Sequence, residues 1–580
     1  MTDDECSPPS RLATLLPFLG WPRRWRMLGV RGDIVAGITV ALVLIPQALA
    51  YTQLALLPAH IGLYAALLPM VVGALLGSCP QLSTGPVALT ALLTGASLMP
   101  LASPGSEAFV SLAIMLALLS GLIQIGLGLL KAGGLLNLLS RPVMAGFINA
   151  AALLICLSQL PALLGLSMPG SEQFLVGLWQ VLSHLDATHW LSLAFGCAAL
   201  AALMVLKRLA PALPGVLIVV ALATAVSAAT GFAERGGAVV GEIPAGLPAA
   251  ALPRADWQDV LDLLPAAFVI ALVSFMEVTS SASLISSRLG EHWNRNQELV
   301  SQGLAKLAAA FSGAMPVSAS FSRSALNYNA GARTGLASLV TAACVLVALL
   351  YLSPLLWHLP KAVLAAAILQ IVAGLINFRA LADAWHASRD DGMAAAVTFV
   401  STLVFAPNIQ TGILTGLTLS LALMLYRDMR PRSALLGLHP DGTYRDLERF
   451  DLAHPHPELV ITRFDSPLTF VTADAFERAL EAARHAQADV RIVLVSASGI
   501  NAIDATGLHL LSTLNAGLVA DGKQLAFCGL KKQVIDAMNR TGLWGRLGKH
   551  AAYRTEAEAL AQLLPTLGSL PDATTSMLDD

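Results

Sequence analysis

From about Asp33 to Tyr426 the chain is a succession of apolar segments separated by short polar breaks. "DIVAGITVALVLIPQALAYTQLALL", "AFVSLAIMLALLSGLIQIGLGLL" and "VMAGFINAAALLICLSQLPALLGL" are followed by "HWLSLAFGCAALAALMVL" and "LPGVLIVVALATAVSAATG". After a wetter stretch, Arg235–Asp262, come "AAFVIALVSFMEVTSSASLI", "ASLVTAACVLVALLYLSPLL", "PKAVLAAAILQIVAGLI", "DGMAAAVTFVSTLVFA" and "IQTGILTGLTLSLALMLY". A helix of roughly twenty apolar residues crosses a bilayer, so these segments together with the shorter runs predict about 12 to 14 spans. Alanine and glycine are abundant, which permits close helix packing in lipid. Arg23, Arg24, Arg26 and Arg31 precede the first span, and Arg427, Arg430 and Arg432 follow the last. Basic flanks favour the cytoplasm. Both ends inside requires an even number of spans, hence 12 or 14. The first apolar run contains Pro46 and Gln47 and is longer than a secretory leader's apolar core, so it reads as a span that is retained.

Beyond Pro431 the pattern changes to alternating strands and helices. "PELVITRFDSPLTF" reads as strands with a turn at Asp465–Pro467, and "ADAFERALEAARHA" as a helix with Phe476 and Leu480 on one face. "DVRIVLVSA" is a buried strand, and "DATGLHLLSTLNAGLVADG" a helix closed at Asp521–Gly522. Strand "KQLAFCGL" and helices "KKQVIDAMNRTGL" and "EAEALAQLLPTL" complete a small α/β domain. The expected organisation is an N-terminal segment 1–32, a membrane domain 33–427, a linker 428–456, an α/β domain 457–567 and a polar tail 568–580.

Two apolar segments are too short or too interrupted to be ordinary spans. Ser83–Gly95, "STGPVALTALLTG", opens on Gly85–Pro86, and proline is tolerated in a first helical turn. Met315–Ala332, "MPVSASFSRSALNYNAGA", carries Arg323 among Ser318, Ser320, Ser322 and Ser324. Each comes two segments after a long span with a polar interruption: "IPQALAY" in the first half, "FMEVTSSAS" in the second. Paired short segments in corresponding places of two halves mark an inverted-repeat transporter, with substrate held where two half-helices point their N-termini at each other. Free N–H groups and helix dipoles there favour an anion, and Arg323 adds positive charge. Serines also serve helix packing, and an arginine at a segment edge can snorkel. Glu277 is the one acid in its span; proton carriage, help in binding a cation (sodium, with Thr279 nearby) and neutralisation of Arg323 all remain open. Gln47, Tyr51 and Gln53 interrupt the first span; Gln47 and Tyr51 are four apart and share a helix face, open to the cavity or to interhelical hydrogen bonds, and Thr84 and Thr90 are weaker candidates.

Composition narrows the function class. Hydrophobic residues make up 56% and charged residues 12% of the 580, and the mean hydropathy is +0.69. A net charge of -2 points to no nucleic-acid partner. Cys6, Cys79, Cys156, Cys197, Cys344 and Cys528 have no metal-ligand spacing and imply no disulfide framework. No phosphate loop, HExxH or CxxC motif is present, so neither an ATP-driven pump nor a metalloenzyme is indicated, and no cofactor is expected.

In "GDIVAGITVALVLIPQALAY", "IGLYAALLPMVVGALLGSCPQLSTGPVAL", "NRNQELVSQGLAKLAAAFSGAMPVSASFSRSALNYNAGARTGLA" and "NAIDATGLHLL" the chain resembles the sulfate permease family of anion transporters, relatives of the solute carrier 26 group. The resemblance spans nearly the whole chain. It implies a polytopic α-helical membrane protein of fourteen segments in two inverted repeats of seven, with UraA-like core and gate domains and an elevator motion. It also implies a cytoplasmic α/β STAS domain, a homodimer, and residence in the bacterial inner membrane. Carried over residue by residue, the substrate-facing positions are Gln47 and Tyr51 on the first segment, Thr84, Pro86 and Val87 on the third, and Ser320, Phe321, Ser322 and Arg323 on the tenth. Glu277 matches the acid linked to proton or sodium coupling. In the STAS domain the loop at Asp504 and Thr506 is the regulatory candidate, but Ala505 stands where related domains carry a phosphorylated serine, and Thr506 is expected to cap the following helix. The function expected is proton-coupled uptake of a small inorganic anion, sulfate by default. A sodium-coupled bicarbonate symporter, a C4-dicarboxylate transporter and an anion exchanger are the alternatives; a channel or a sensor is less favoured.

Overall fold

The structure is a computed structural model that describes residues 16–22, 30–134, 140–166, 174–210, 214–241, 246, 256–352, 356–547 and 552–567. Arg23, Arg24, Arg26 and the tail 568–580 lie outside the described residues. The chain divides into two compact units, Met1–Ser420 and Leu421–Asp580.

The first half of the apolar unit contains α1 (Arg31–Leu54), α2 (Ala59–Ala65), α3 (Leu68–Leu76), a two-residue strand β1 (Thr84–Gly85), α4 (Ala88–Leu98), α5 (Glu107–Leu129), α6 (Arg141–Ser158), α7 (Leu160–Leu164), α8 (Phe174–Ser183), α9 (Trp190–Leu209) and α10 (Gly215–Thr230). Its second half contains α11 (Trp257–Leu289), α12 (Arg295–Phe311), strand β2 (Ser318–Ala319), α13 (Phe321–Asn329), α14 (Leu336–Val347), α15 (Lys361–Val372), α16 (Phe378–Ala387), α17 (Arg389–Val404) and α18 (Ile409–Asp428). Among the described residues seven helices are long and apolar enough to cross a membrane, and four shorter apolar helices accompany them. That is fewer long spans than the hydropathy pattern predicts. Part of the shortfall is that Ser83–Gly95 and the segment around Arg323 each start as extended chain and become helical only at Ala88 and Phe321, and that α12 carries Glu298 and Lys306; the helices starting at Gly215, Leu336 and Lys361 are apolar but short.

Packing joins the two halves. Helix α12 lies along α5 and α3, α14 along α1, and α11 against α4, α5 and α13. A second set pairs α6 with α17 and α9 with α15. The α5–α12 contact is made by glycines. A Cβ on Gly303 would lie 2.7 Å from the Gly121 carbonyl oxygen, and one on Gly128 2.9 Å from that of Asn296, so the backbones meet directly. Buried carboxylates fasten loops to this frame. Asp33 accepts from the backbone N–H groups of Arg333 (2.6 Å) and Thr334 (3.0 Å) and from the Thr334 hydroxyl (2.6 Å). Glu298 accepts from the N–H (2.8 Å) and hydroxyl (3.0 Å) of Ser78, from Cys79 N–H (3.3 Å) and from Gln302 (3.1 Å).

The second unit is a six-stranded sheet. Its elements are β3 (Ser433–Leu438), β4 (Tyr444–Asp446), α19 (Leu447–Phe450), β5 (Leu459–Phe464), α20 (Ala473–Arg484), β6 (Ile492–Ser496), α21 (Ala505–Ala520), β7 (Gln524–Cys528), α22 (Lys532–Arg540), α23 (Leu543–Leu547), β8 (Ala552–Tyr553) and α24 (Glu556–Leu563). Strand order is β4-β3-β5-β6-β7-β8, antiparallel across the first three strands and parallel from β5 onward. Val460, Val493, Val495 and Phe527 face a core with Phe476 and Leu480, while Ile461, Leu494 and Ala526 face α24. Burial on both faces explains why "IVLVS" is continuously apolar. The stretch 428–456, expected as a linker, contributes β3 and β4 to one edge of the sheet. Their half-exposed side chains leave no strong apolar signal. Beyond Phe464, "DSPLTF" forms no further strand, only a bridge of Leu468 to Ile503.

Asp504, not Thr506, caps α21: its carboxylate accepts from Gly507 N–H (2.9 Å) and from Phe470 N–H (2.8 Å), while Thr506 lies within the first helical turn. Burial pushes the Asp504 carboxyl up, but the backbone donors outweigh it and hold the group below the usual carboxylate range. Asp504→Ala is expected to cost about 1 kcal/mol locally, read as roughly fivefold faster amide exchange over 505–520 in the full chain. The native carboxylate's contribution is complete above the ordinary carboxylate pKa of about 4. It is lost as pH falls through the depressed native value, so the two proteins should converge in strong acid.

Candidate functional site

Strands β1 and β2 come from opposite halves of the apolar unit and pair antiparallel, Thr84 with Ala319 and Gly85 with Ser318. The pairing extends through Ser320 N–H to the Ser83 carbonyl (3.0 Å) and Ser83 N–H to the Ser324 hydroxyl (3.0 Å). Each strand leads directly into a short helix, α4 or α13. Because the strands are antiparallel, the helices leave in opposite directions and their N-termini flank the bridge. Val87, the N-cap of α4, offers no side-chain acceptor to the first turn, and Pro86 has no N–H. At α13 the cap is Ser320, whose hydroxyl accepts from Arg323 N–H (3.5 Å) and lies 3.3 Å from that of Ser322.

Arg323 is 1% exposed. Its Nε donates to the Ser83 hydroxyl (3.4 Å) and its Nη1 to Gln47 Oε1 (3.3 Å). Nη2 has no hydrogen-bond partner in the protein. A Cβ on Gly85 would sit 3.5 Å from Nη2, so the open edge of the guanidinium faces the bridge. Tyr51, one turn after Gln47 on α1, is buried beside them. The first-half and second-half residues singled out by sequence therefore converge, with two qualifications. Thr84 turns its hydroxyl away to Gln302 Nε2 (3.0 Å) and packs on Gly73, while Phe321 and Ser322 are exposed at the start of α13.

Glu277 is half-buried on α11, with Oε2 unpartnered. It forms no ion pair with Arg323, although Arg323 and Lys306 both lie within its electrostatic reach. The Thr279 hydroxyl also lacks a partner. Two residues apart on a helix, Glu277 and Thr279 point to different sides and do not converge on one ion. Thr90 Oγ1, in the first turn of α4, and Gln53 Oε1 are likewise unpartnered. Among the described residues no cluster of three or more His, Cys, Asp or Glu could hold a metal ion.

Residues 30–398 match the sulfate permease family, and residues 452–559 match the STAS domain. The chain belongs to the sulfate permease family. It is an anion transporter, not an enzyme. A protein of Mycobacterium tuberculosis named "Probable sulfate transporter" is 34% identical over 543 residues, covering 93% of this chain and 96% of the relative. The chloroplastic sulfate transporter 4.1 of Arabidopsis thaliana is 32% identical over 559 residues, covering 92% of this chain and 80% of the relative. The fold is similar to that of a structure of murine Solute Carrier 26 family member A9, with a TM-score of 0.89 at 23% identity over 97% of each chain. The transmembrane domain of a cyanobacterial bicarbonate transporter aligns with a TM-score of 0.58 at 24% identity, over 68% of this chain and 97% of the other.

Sequence reasoning named Ser324 among the serines of its segment but missed Ser83, which joins it in stitching the bridge, and a buried lysine, Lys306. Lys306 had a readable signal: it is the one cation in "LAKLAAAF", an otherwise apolar turn. The geometry separates two polar residues of the site by role. Thr84→Val should leave the anion KM of the permease unchanged and destabilise the protein by about 1–3 kcal/mol, because one buried N–H of Gln302 loses its acceptor while the other stays on Glu298. Gln47→Leu should instead raise KM, because it removes the acceptor that orients Arg323; thermal unfolding and saturation uptake measured side by side distinguish the two.

Proposed function

We propose that this permease carries sulfate with a proton across the cytoplasmic membrane, binding it between the N-termini of α4 and α13 with Arg323 as its cationic ligand. The observation that carries this reading is the buried Arg323 guanidinium with a free Nη2 beside a bridge from which two short helices start. Ser83, Gln47 and the helix N–H groups add further donors around it. A tetrahedral dianion offers acceptors in all directions and two charges to place there. Sulfate-transporter names among relatives at 34% and 32% identity support the choice of anion.

Glu277 is the coupling group on this reading. Its carboxylate has no hydrogen-bonded cation to fix it ionised, and it shares the electrostatic environment of Arg323. Protonated, it lets the anion bind; ionised, it competes for the same positive field. The short strands and half-helices are the third and tenth of fourteen segments, arranged as two inverted repeats of seven. Helices α1 to α5 and α11 to α14 form a mobile core that rides as an elevator against the rest. The protein works as a homodimer with its N-terminus and STAS domain in the cytoplasm, and Asp504 and Thr506 mark the loop through which that domain would regulate transport.

Two substitutions test this in proteoliposomes supplied with labelled sulfate, bicarbonate and fumarate under imposed proton or sodium gradients. Arg323→Ala should lower saturable sulfate uptake by about a hundredfold or more, the scale of losing a buried charge-assisted contact, while the purified protein stays monodisperse. Uptake at the parental affinity would refute the site. Glu277→Gln should uncouple: an inward proton gradient should no longer drive accumulation, while exchange of internal for external sulfate persists. Gradient-driven uptake by this variant would assign the acid a different job.

A further inference from the structure

Lys306 is fully buried in the apolar unit, yet no step above uses it. Its Nζ donates to Gln124 Oε1 (2.8 Å) on α5 and to the Ser274 hydroxyl (2.8 Å) on α11. The polarity of this cluster is set throughout. Gln124 Nε2 donates to the Ala271 carbonyl (2.8 Å) and to Ser274 Oγ (2.9 Å), and Ser274 passes its own proton to the Ala271 carbonyl (3.2 Å). Both groups that Lys306 touches thus present oxygen lone pairs to it, and both are neutral. The glycine contacts between α5 and α12 hold Gln124 against Lys306: a Cβ on Gly121 would lie 3.0 Å from the lysine's own Cβ.

The cluster is continuous with the anion site. The Ser274 carbonyl accepts from the Ser318 hydroxyl (3.1 Å), which belongs to β2, the strand that leads into Arg323's helix. Glu277 lies one turn beyond Ser274 on the same face of α11, and its charge and that of Lys306 act on each other. Of the other charged or titratable groups on elements packed here, Arg323 and Tyr51 lie across the anion site, and Glu298 on α12 is occupied by Ser78, Cys79 and Gln302. Glu277 is therefore the only carboxylate among the described residues with which the ammonium shares this part of the core.

We propose that Lys306 is a built-in cation of the transport core, a positioning residue that acts through Glu277 and takes the place a bound sodium ion would otherwise fill. The inference rests on the reading of Arg323 as the anion ligand. Arg323 and Lys306 together supply two positive charges, equal to those of a sulfate dianion. With Glu277 protonated the charges gathered at the site then sum to zero, and local neutrality favours passage of the site through a low-dielectric barrier. A carrier lacking the ammonium would need a cation from solution for the same balance.

Sulfate uptake by the full chain in proteoliposomes, driven by a proton gradient, tests this with external sodium or with choline. The parent protein should take up sulfate equally in both, within about twofold; a requirement for sodium overturns the inference while leaving the Arg323 site standing. Absence of uptake by the parent in either medium brings down the sulfate reading and this inference with it. Lys306→Gln should lose at least about tenfold of its uptake in choline and recover part of it when sodium is added. Parental uptake by this variant in choline overturns the proposal. So does a loss that sodium leaves untouched in a monodisperse variant, since that makes Lys306 only a hydrogen-bond donor to Gln124 and Ser274. If Lys306→Gln does not fold, the parent protein's response to sodium decides.

Discussion

A guanidinium withdrawn from water inside an apolar helical unit is the constraint on which the arrangement turns. Burial of an ionised group without compensation costs several kcal/mol even after relaxation. Arg323 receives only partial compensation: two long hydrogen bonds, to Ser83 and Gln47, and none at Nη2. The helix starts on either side add further donors and positive dipole ends, which sharpen the imbalance. A shell of donors with so few acceptors is satisfied when an anion enters it. The two-residue pairing of Thr84–Gly85 with Ser318–Ala319 makes the shell possible, because it gives the backbone partners where both segments are extended, just before they become helical.

The buried acids of the unit show the opposite condition, and the contrast assigns their roles. Asp33 and Glu298 are saturated by backbone and side-chain donors, and each closes a loop onto a helix of the other half. Such groups are anchors: both of their oxygens are committed to hydrogen bonds. Glu277 has an unpartnered oxygen and two cations within electrostatic reach, and neither holds it in an ion pair. With the Ser318 hydroxyl as its one side-chain hydrogen-bond neighbour, such a carboxylate can change protonation at the cost of a single contact, which an anchor cannot do.

Much of this was legible in the chain because interruptions of an apolar pattern are costly and therefore informative. "STGPVAL" and "SASFSRSALN" stand out from their surroundings, and the structure brings Ser83, Gly85 and Arg323 together. The soluble unit was equally readable from β5 onward, where parallel strands buried on both faces give unbroken apolar runs. Its edge strands β3 and β4 were not, since a half-exposed edge has no such run. The direction in which Thr84 points was also hidden. Spacing places it on the bridge, but Gln302, 218 residues away, captures its hydroxyl. Thr506 was read as a helix cap although Asp504, two residues earlier, has the stronger acceptor; a loop in which two residues can cap is resolved only by the register of the first turn.

The charges of the site are all carried by elements that pack on one another: Arg323 on α13, Glu277 on α11 and Lys306 on α12, linked through Ser274 and Ser318. Their mutual distances are fixed by that packing and by the glycine contact of α5 with α12. Moving such a body across a low-dielectric barrier therefore cannot depend on separating its charges from each other. On the proposed reading, what varies is their sum, through an anion at Arg323 and a proton on Glu277. An assembly of rigid geometry and adjustable charge crosses most readily when that sum is near zero, and on that reading this selection is what ties anion to proton.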